Sequence, residues 1–166
     1  MRLFVAIPLN REMRDGLTAL QRSMRALGIK GNYTRPENLH LTLAFIGEYS
    51  DYLSVKEVLE NVSFKPFNMK LDGLGQFKSI IWAGVSPDKK VRRLALDVRK
   101  VLEDNKIPFD SKSFTAHITL VRQPKKSRGR IPSEVFEMLP ESEMKVDHFS
   151  LFKSARGKNS MIYTEL

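Results

Sequence analysis

The sequence predicts one domain of mixed helices and strands, built twice and closed as two lobes, with repeat units of roughly residues 1–79 and 80–166. Three observations carry this. His40-Leu41-Thr42-Leu43 returns as His117-Ile118-Thr119-Leu120. Met69 to Ser79 lies against Met144 to Ser154 at an offset of 75, with six of eleven positions identical. Phe4 precedes His40 by 36 residues and Ile81 precedes His117 by the same 36, so the strand ahead of each motif is duplicated as well. Repeat arrays generally need three or more units to bury a core, so two units must close on each other and leave a cleft between them.

The elements follow in order. Leu3 to Ile7 reads as the opening strand. Asn10 then caps a helix whose Met13, Leu17, Leu20, Met24 and Leu27 recur at alternating four- and three-residue steps, with Gly28 as its stop. After the motif strand at His40, Val55, Val58 and Leu59 mark a short helix over residues 51–60. The strands Met69 to Ser79 and Ile80 to Val85 come next. At Ser86-Pro87-Asp88, Ser can cap and Pro fits the first turn of a second long helix carrying Val91, Leu94, Val98 and Leu102. Beyond the motif strand at His117, Val135, Phe136 and Leu139 predict a short helix over residues 133–139. Ala155 to Ser160 is inserted relative to the first copy and reads as a basic hairpin tip ahead of the last strand, Met161 to Leu166. The first and last strands both match Ile80 to Val85, so the two ends of the chain are expected in one sheet that ties the lobes together.

Composition bounds the chemistry. With 42% hydrophobic and 28% charged residues, 166 residues can bury an ordinary core. No apolar run approaches the roughly 20 residues that span a bilayer, and Met1 to Pro8 is too short for a secretory signal. A cytoplasmic protein with no membrane association, acting as a monomer, is expected. The absence of cysteine removes disulfides, thiolate catalysis and Cys-based zinc sites together. A formal charge of +9 favours polyanionic partners, nucleic acid first, because phosphate contacts from Lys and Arg release counterions. Lys-rich surfaces also serve solubility, so charge alone does not decide.

The paired motifs can decide more. In an extended segment residues i and i+2 share a face, so each His stands with its Thr while Leu41, Leu43, Ile118 and Leu120 turn to the core. One neutral and one protonated histidine in a cleft make an acid and base pair, suited to in-line displacement at phosphorus. The threonine hydroxyls would donate to the non-bridging oxygens as charge grows there. A single strand histidine is usually a hydrogen-bonded structural residue, but two in duplicate frames are not. A two-histidine zinc site is the rival; without ligand-like carboxylate spacing, a helical His-x-x-x-His or cysteine, no metal and no cofactor is expected. His148 falls opposite Gly73 in the repeat, outside the duplicated frame, and reads as structural or surface.

His40-Leu41-Thr42-Leu43 with Ala44 to Glu48, and Phe114 to Arg122 around His117, resemble the motifs of the 2H phosphoesterases, and most nearly the RNA 2',3'-cyclic phosphodiesterases, historically called 2'-5' RNA ligases. The likeness runs from Arg2-Leu3-Phe4-Val5-Ala6-Ile7 to the last strand with Ser154, Gly157 and Tyr163. It implies a bilobal, pseudo-twofold α+β fold, two antiparallel sheets flanked by helices around a central cleft. It implies metal-independent hydrolysis of RNA 2',3'-cyclic phosphate ends, tRNA fragments or cyclic nucleotides, to 2'-phosphomonoesters. In that scheme His40 donates a proton to the leaving 3' oxygen and His117 accepts one from water; the symmetry of the halves alone cannot assign those roles. Thr42, Thr119 and Arg122 would bind the phosphate. The family often carries Trp ahead of the first motif where this chain has Tyr33, which makes Tyr33 a base-stacking candidate with buried packing as the equal alternative. Strict alternation would point Arg122 with Ile118 and Leu120, so a bulge or strand end must intervene if it is to reach the cleft. Pro124 to Arg130 holds four positive charges which, with Arg156 and Lys158, form a candidate guide for an RNA backbone.

The same resemblance admits 2'-5' ligation of tRNA halves and cleavage of 2'-5' oligonucleotides. A non-catalytic RNA-binding domain is the rival from another class. Such a sheet stacks bases on exposed aromatics, and here His and Thr hold those positions.

Overall fold

The computed structural model describes residues 1–126 and 131–166. β1 (Arg2–Pro8) is buried from Leu3 through Ile7, an unbroken apolar run that fits only a strand covered on both faces and paired on both edges. α1 (Arg11–Ala26) starts where the Asn10 side chain accepts the Met13 N–H at 2.9 Å, and Gly28, at φ +81°, takes the left-handed turn that ends it. Its predicted stripe of Met13, Leu17, Leu20 and Met24 is buried. Then come β2 (Ile29–Tyr33), a 3₁₀ turn at Pro36–Asn38, the motif strand β3 (His40–Glu48) and α2 (Tyr52–Leu59), capped by Asp51 through the Ser54 N–H at 3.1 Å. β4 (Phe67–Phe77) and β5 (Ile80–Ser86) precede α3 (Asp88–Asp104). The second motif strand is β6 (Ile118–Lys126), followed by a 3₁₀ turn at Ser133–Glu137, β7 (Glu143–Val146), β8 (Ser150–Arg156) and β9 (Met161–Glu165).

Three local expectations change, and one strand was not expected. Ser86 ends β5 and does not cap α3; Pro87 holds the cap position without a side-chain bond. The short helix expected over residues 133–139 is a five-residue 3₁₀ turn around buried Val135. The repeated segment from Met144 splits into β7 and β8 at Asp147–Phe149. β2 has no apolar alternation to announce it, because Lys30, Gly31 and Asn32 are all exposed. It forms by pairing with β6 across Asn32↔Arg122 and Tyr33↔Val121.

All pairings are antiparallel. The order is β7-β4-β5-β6-β3-β1-β8-β9, with β2 also on β6. The two expected sheets, β3-β1-β8-β9 and β4-β5-β6 with β7 and β2, therefore join edge to edge. Among the described residues the strands that meet, β3 and β6, are paired at Leu41↔Ile118. Each sheet draws on both sequence halves: β8 lies beside β1, and β4 makes a hairpin with β5. The two ends of the chain share one sheet, as the strand match predicted, since β8 pairs with both β1 and β9. The expected hairpin tip is the β8–β9 turn, where the Gly157 N–H donates to the Ser160 carbonyl at 2.8 Å. Among the described residues no helix is long and apolar enough to cross a membrane.

Candidate active site

The pair that joins the sheets is the centre of both motifs. Leu41 and Ile118 are each the middle residue of a His-x-Thr frame and both are fully buried. Counting outward along antiparallel strands, His40 falls across from Thr119 and Thr42 across from His117. All four side chains are half-buried and lie on the face opposite the core leucines. The duplication read from the sequence thus becomes a local twofold through Leu41 and Ile118, with two histidines and two hydroxyls around it. The charge of His117 reaches His40 and adds, after burial and Arg122, to the lowering of its pKa.

Backbone carbonyls fix both rings in the same way. His40 Nδ1 lies 2.6 Å from the Asn38 oxygen and His117 Nδ1 lies 2.7 Å from the Thr115 oxygen, each two residues upstream. A carbonyl has no proton to give, so Nδ1 carries the hydrogen in each. The neutral form then leaves Nε2 as the acceptor. That of His40 meets Thr42 Oγ1 at 2.9 Å. Neutral Nε2 accepts from the hydroxyl; protonated Nε2 donates to it. Burial lowers the pKa of His40; the Asn38 carbonyl opposes this, and the charges of Arg122 and His117 add to it.

Arg122 reaches the cleft side through a bulge. Across β5 and β6, Ile81 pairs with Val121 but Trp82 pairs with Thr119, which leaves Leu120 as an extra residue. Leu120 and Val121 are consecutive buried residues, and Arg122 emerges exposed, where strict alternation would have sent it to the core. The shift is what the sequence demanded if Arg122 was to act at the phosphate.

Two helix side chains hold the motif strands, and sequence reasoning missed both. Gln21 of α1, 1% exposed, donates to the Leu120 carbonyl at 2.9 Å and the Thr34 carbonyl at 2.8 Å, which pins the bulge. Arg99 of α3 donates to the Leu43 carbonyl at 3.1 Å. Leu43 and Leu120 are the same position of the repeated tetrapeptide, so each unit's helix clamps the other unit's motif. A polar residue interrupting an apolar helical stripe was the available signal for Gln21.

Aromatic rings collar each histidine. Phe4 and Tyr163 stand 4.9 and 5.3 Å from the His40 ring; Phe77 and Trp82 stand 5.3 and 6.2 Å from that of His117. Phe77 had a legible signal, because it matches Phe152 in the repeat and Phe152 stacks on Phe4 at 5.3 Å. Tyr33 is in neither collar and lines a groove together with Arg122 and Tyr163. Its hydroxyl donates to the Ile29 carbonyl at 2.7 Å and the Arg25 guanidinium covers its ring at 4.0 Å. His148 is on the surface beside Asp147. Of the basic segment, Ser127 to Arg130 lie outside the described residues. Among the described residues, no three His, Cys, Asp or Glu side chains gather as metal ligands would.

A bilobal antiparallel α+β fold with a His-x-Thr pair at the seam is the architecture of a two-histidine phosphoesterase, and the comparisons agree. The family model described as the 2'-5' RNA ligase superfamily matches residues 12–158, and the chain belongs to that family. The RNA 2',3'-cyclic phosphodiesterase of Archaeoglobus fulgidus is 32% identical, with 100% of this chain and 98% of that one covered. The protein of the same name from Thermotoga maritima is 29% identical over 100% of this chain and 93% of its own. The crystal structure of Escherichia coli LigT complexed with 3'-AMP superposes with a TM-score of 0.83 at 27% identity, covering 99% of this chain and 94% of LigT.

Proposed function

We propose that this chain is a hydrolase that opens 2',3'-cyclic phosphates at RNA ends to 2'-phosphomonoesters, acting in the cytoplasm as a monomer without a metal ion. The observation that carries the reading is the duplicated frame: two rings each with Nδ1 tied to a carbonyl two residues upstream, set across one strand pairing from each other's threonine. His117 accepts a proton from water as its oxygen bonds to phosphorus. The bond from phosphorus to the 3' oxygen breaks, and His40 delivers a proton to that oxygen. One water is consumed, the 2' bond survives, and the two histidines regain their starting states by exchange with solvent. On substrate binding the Thr42 hydroxyl leaves His40 Nε2 and, with Thr119 and Arg122, donates to the non-bridging oxygens. The names of the relatives, and 3'-AMP in the LigT complex, support a nucleotide with a phosphate at this edge of its ribose. The lowered pKa of His40 does not oppose its role as acid, because the negative charge of a bound phosphodiester favours the protonated ring.

The test is incubation with 2',3'-cyclic AMP in excess EDTA, products resolved chromatographically. The expected product is 2'-AMP; no 2'-phosphate anywhere between about pH 5 and pH 9 rejects the reading. The family name also admits ligation, in which a 5'-hydroxyl takes the place of water as the nucleophile on the cyclic phosphate, and a product assay with paired tRNA halves separates the two outcomes.

Arg122→Gln gives a second expected outcome. Losing a charged donor to the phosphate lowers kcat/KM by about 10- to 100-fold. The charge of Arg122 disfavours protonated His40, so its removal raises the His40 pKa. The ring resonances of His40 followed by NMR should titrate at higher pH in the variant. An unmoved titration would show that Arg122 is not electrostatically coupled to the site.

A further inference from the structure

Beside the histidines lies a groove of about 710 Å³ between β2 and the β8–β9 hairpin. It is larger than a reaction centre for one cyclic phosphate requires. Five cations line it: Arg25, Arg35, Arg122, Arg156 and Lys158. None of its described lining residues is acidic, and among the described residues only Arg35 has a carboxylate within ion-pair distance, Glu37 at 3.8 Å. Its polar remainder is neutral, with Asn32 and Asn159 exposed to solvent and Ser160 half-buried. Asn38 and Tyr163 line both this groove and the recess that holds His40, so the two spaces adjoin across these side chains.

Five cations with a single carboxylate near them are repelled by their own charge and are relieved by a polyanion with spaced phosphates. A 2',3'-cyclic phosphate is the 3' terminus of its strand, so everything else in the RNA lies on its 5' side and must leave the reaction centre in one direction. The groove offers that exit. Resting on the reading of the site as a cyclic phosphodiesterase, we propose that this groove binds single-stranded RNA on the 5' side of the cyclic end. The β8–β9 hairpin, through Arg156 and Lys158, grips its phosphates and makes the enzyme prefer an oligonucleotide to a mononucleotide. The hairpin is the segment that the second repeat has and the first lacks, and it places Arg156 and Lys158 in the sheet that carries His40, opposite β2 and Arg122.

The experiment compares the wild type with a double variant, Arg156→Ala with Lys158→Ala, on 2',3'-cyclic AMP and on a hexaribonucleotide with a 2',3'-cyclic end. The wild type is expected to show the lower KM for the hexamer. The double variant is expected to raise that KM about tenfold or more, with the slope of log KM against log salt reduced by about 1 to 1.5, while kinetics on the mononucleotide stay unchanged. Equal kcat/KM for the two substrates in the wild type overturns the proposal, and so does an equal loss on both in the variant, which would place the hairpin in the reaction centre. Binding of a labelled hexamer with a 3'-phosphate, read by fluorescence anisotropy, separates the two readings. If neither cyclic substrate is hydrolysed but the hexamer binds the wild type about tenfold tighter than the variant, the groove stands and the catalytic reading falls. Equal binding to both proteins sinks the groove regardless of turnover.

Discussion

His40→Ala and His117→Ala should each lower kcat/KM on 2',3'-cyclic AMP by about 10² to 10⁴, with the midpoint of denaturant unfolding nearly unchanged. The size follows from what each ring does at phosphorus. Without the base, water must attack undissociated; without the acid, the 3' oxygen leaves as an alkoxide. Stability should survive because both rings are half-buried and stand on the face away from the core leucines. The double variant should be little worse than either single one, because residues that act as a unit lose their value together. A substrate with a better leaving group distinguishes the roles. On a 4-nitrophenyl phosphodiester the departing phenoxide needs no proton, so the variant lacking the acid should recover much of its loss and the variant lacking the base should not. Recovery by His40→Ala supports His40 as donor; recovery by His117→Ala reverses the assignment. Wild-type turnover in both variants rejects the two-histidine chemistry altogether.

The parts of this site that were legible in the sequence were those that repeat. His40, Thr42, His117 and Thr119 announced themselves because a duplicated frame on strands fixes both identity and facing. Helices α1 and α3 were legible from their apolar stripes, and a bulge or strand end ahead of Arg122 was required once Arg122 was assigned a role; the pairing of β5 with β6 puts a bulge at Leu120. What stayed hidden depends on partners distant in sequence. Gln21 and Leu120 are 99 residues apart, and nothing local in α1 says which carbonyl its amide will meet. β2 exists only because β6 offers it an edge, so its polar sequence gives no alternation to read. The joining of two sheets through Leu41↔Ile118 was also invisible. Periodicity shows that both residues face the core, whereas only the packed structure shows that they face each other.

That junction carries the second large effect. Leu41 is fully buried, and Leu41→Ala should cost about 2 to 5 kcal/mol of stability, the range for removing a large core side chain that leaves a cavity. The same loss at another fully buried position, such as Leu3, should reduce stability alike. The two variants should differ in activity. Leu3 pairs with Gly47 and Lys153, away from both motifs, whereas Leu41 sets the spacing of β3 against β6 and hence of His40 against His117. Catalytic groups misplaced by about 1 Å can lose roughly 10²-fold in rate. Measured at a temperature where both variants remain folded by circular dichroism, Leu41→Ala should therefore lose kcat on 2',3'-cyclic AMP by roughly that factor while Leu3→Ala keeps it. Equal kcat in the two would mean that Gln21 and Arg99, each clamping one motif from its helix, position the histidines without help from the pair between the sheets.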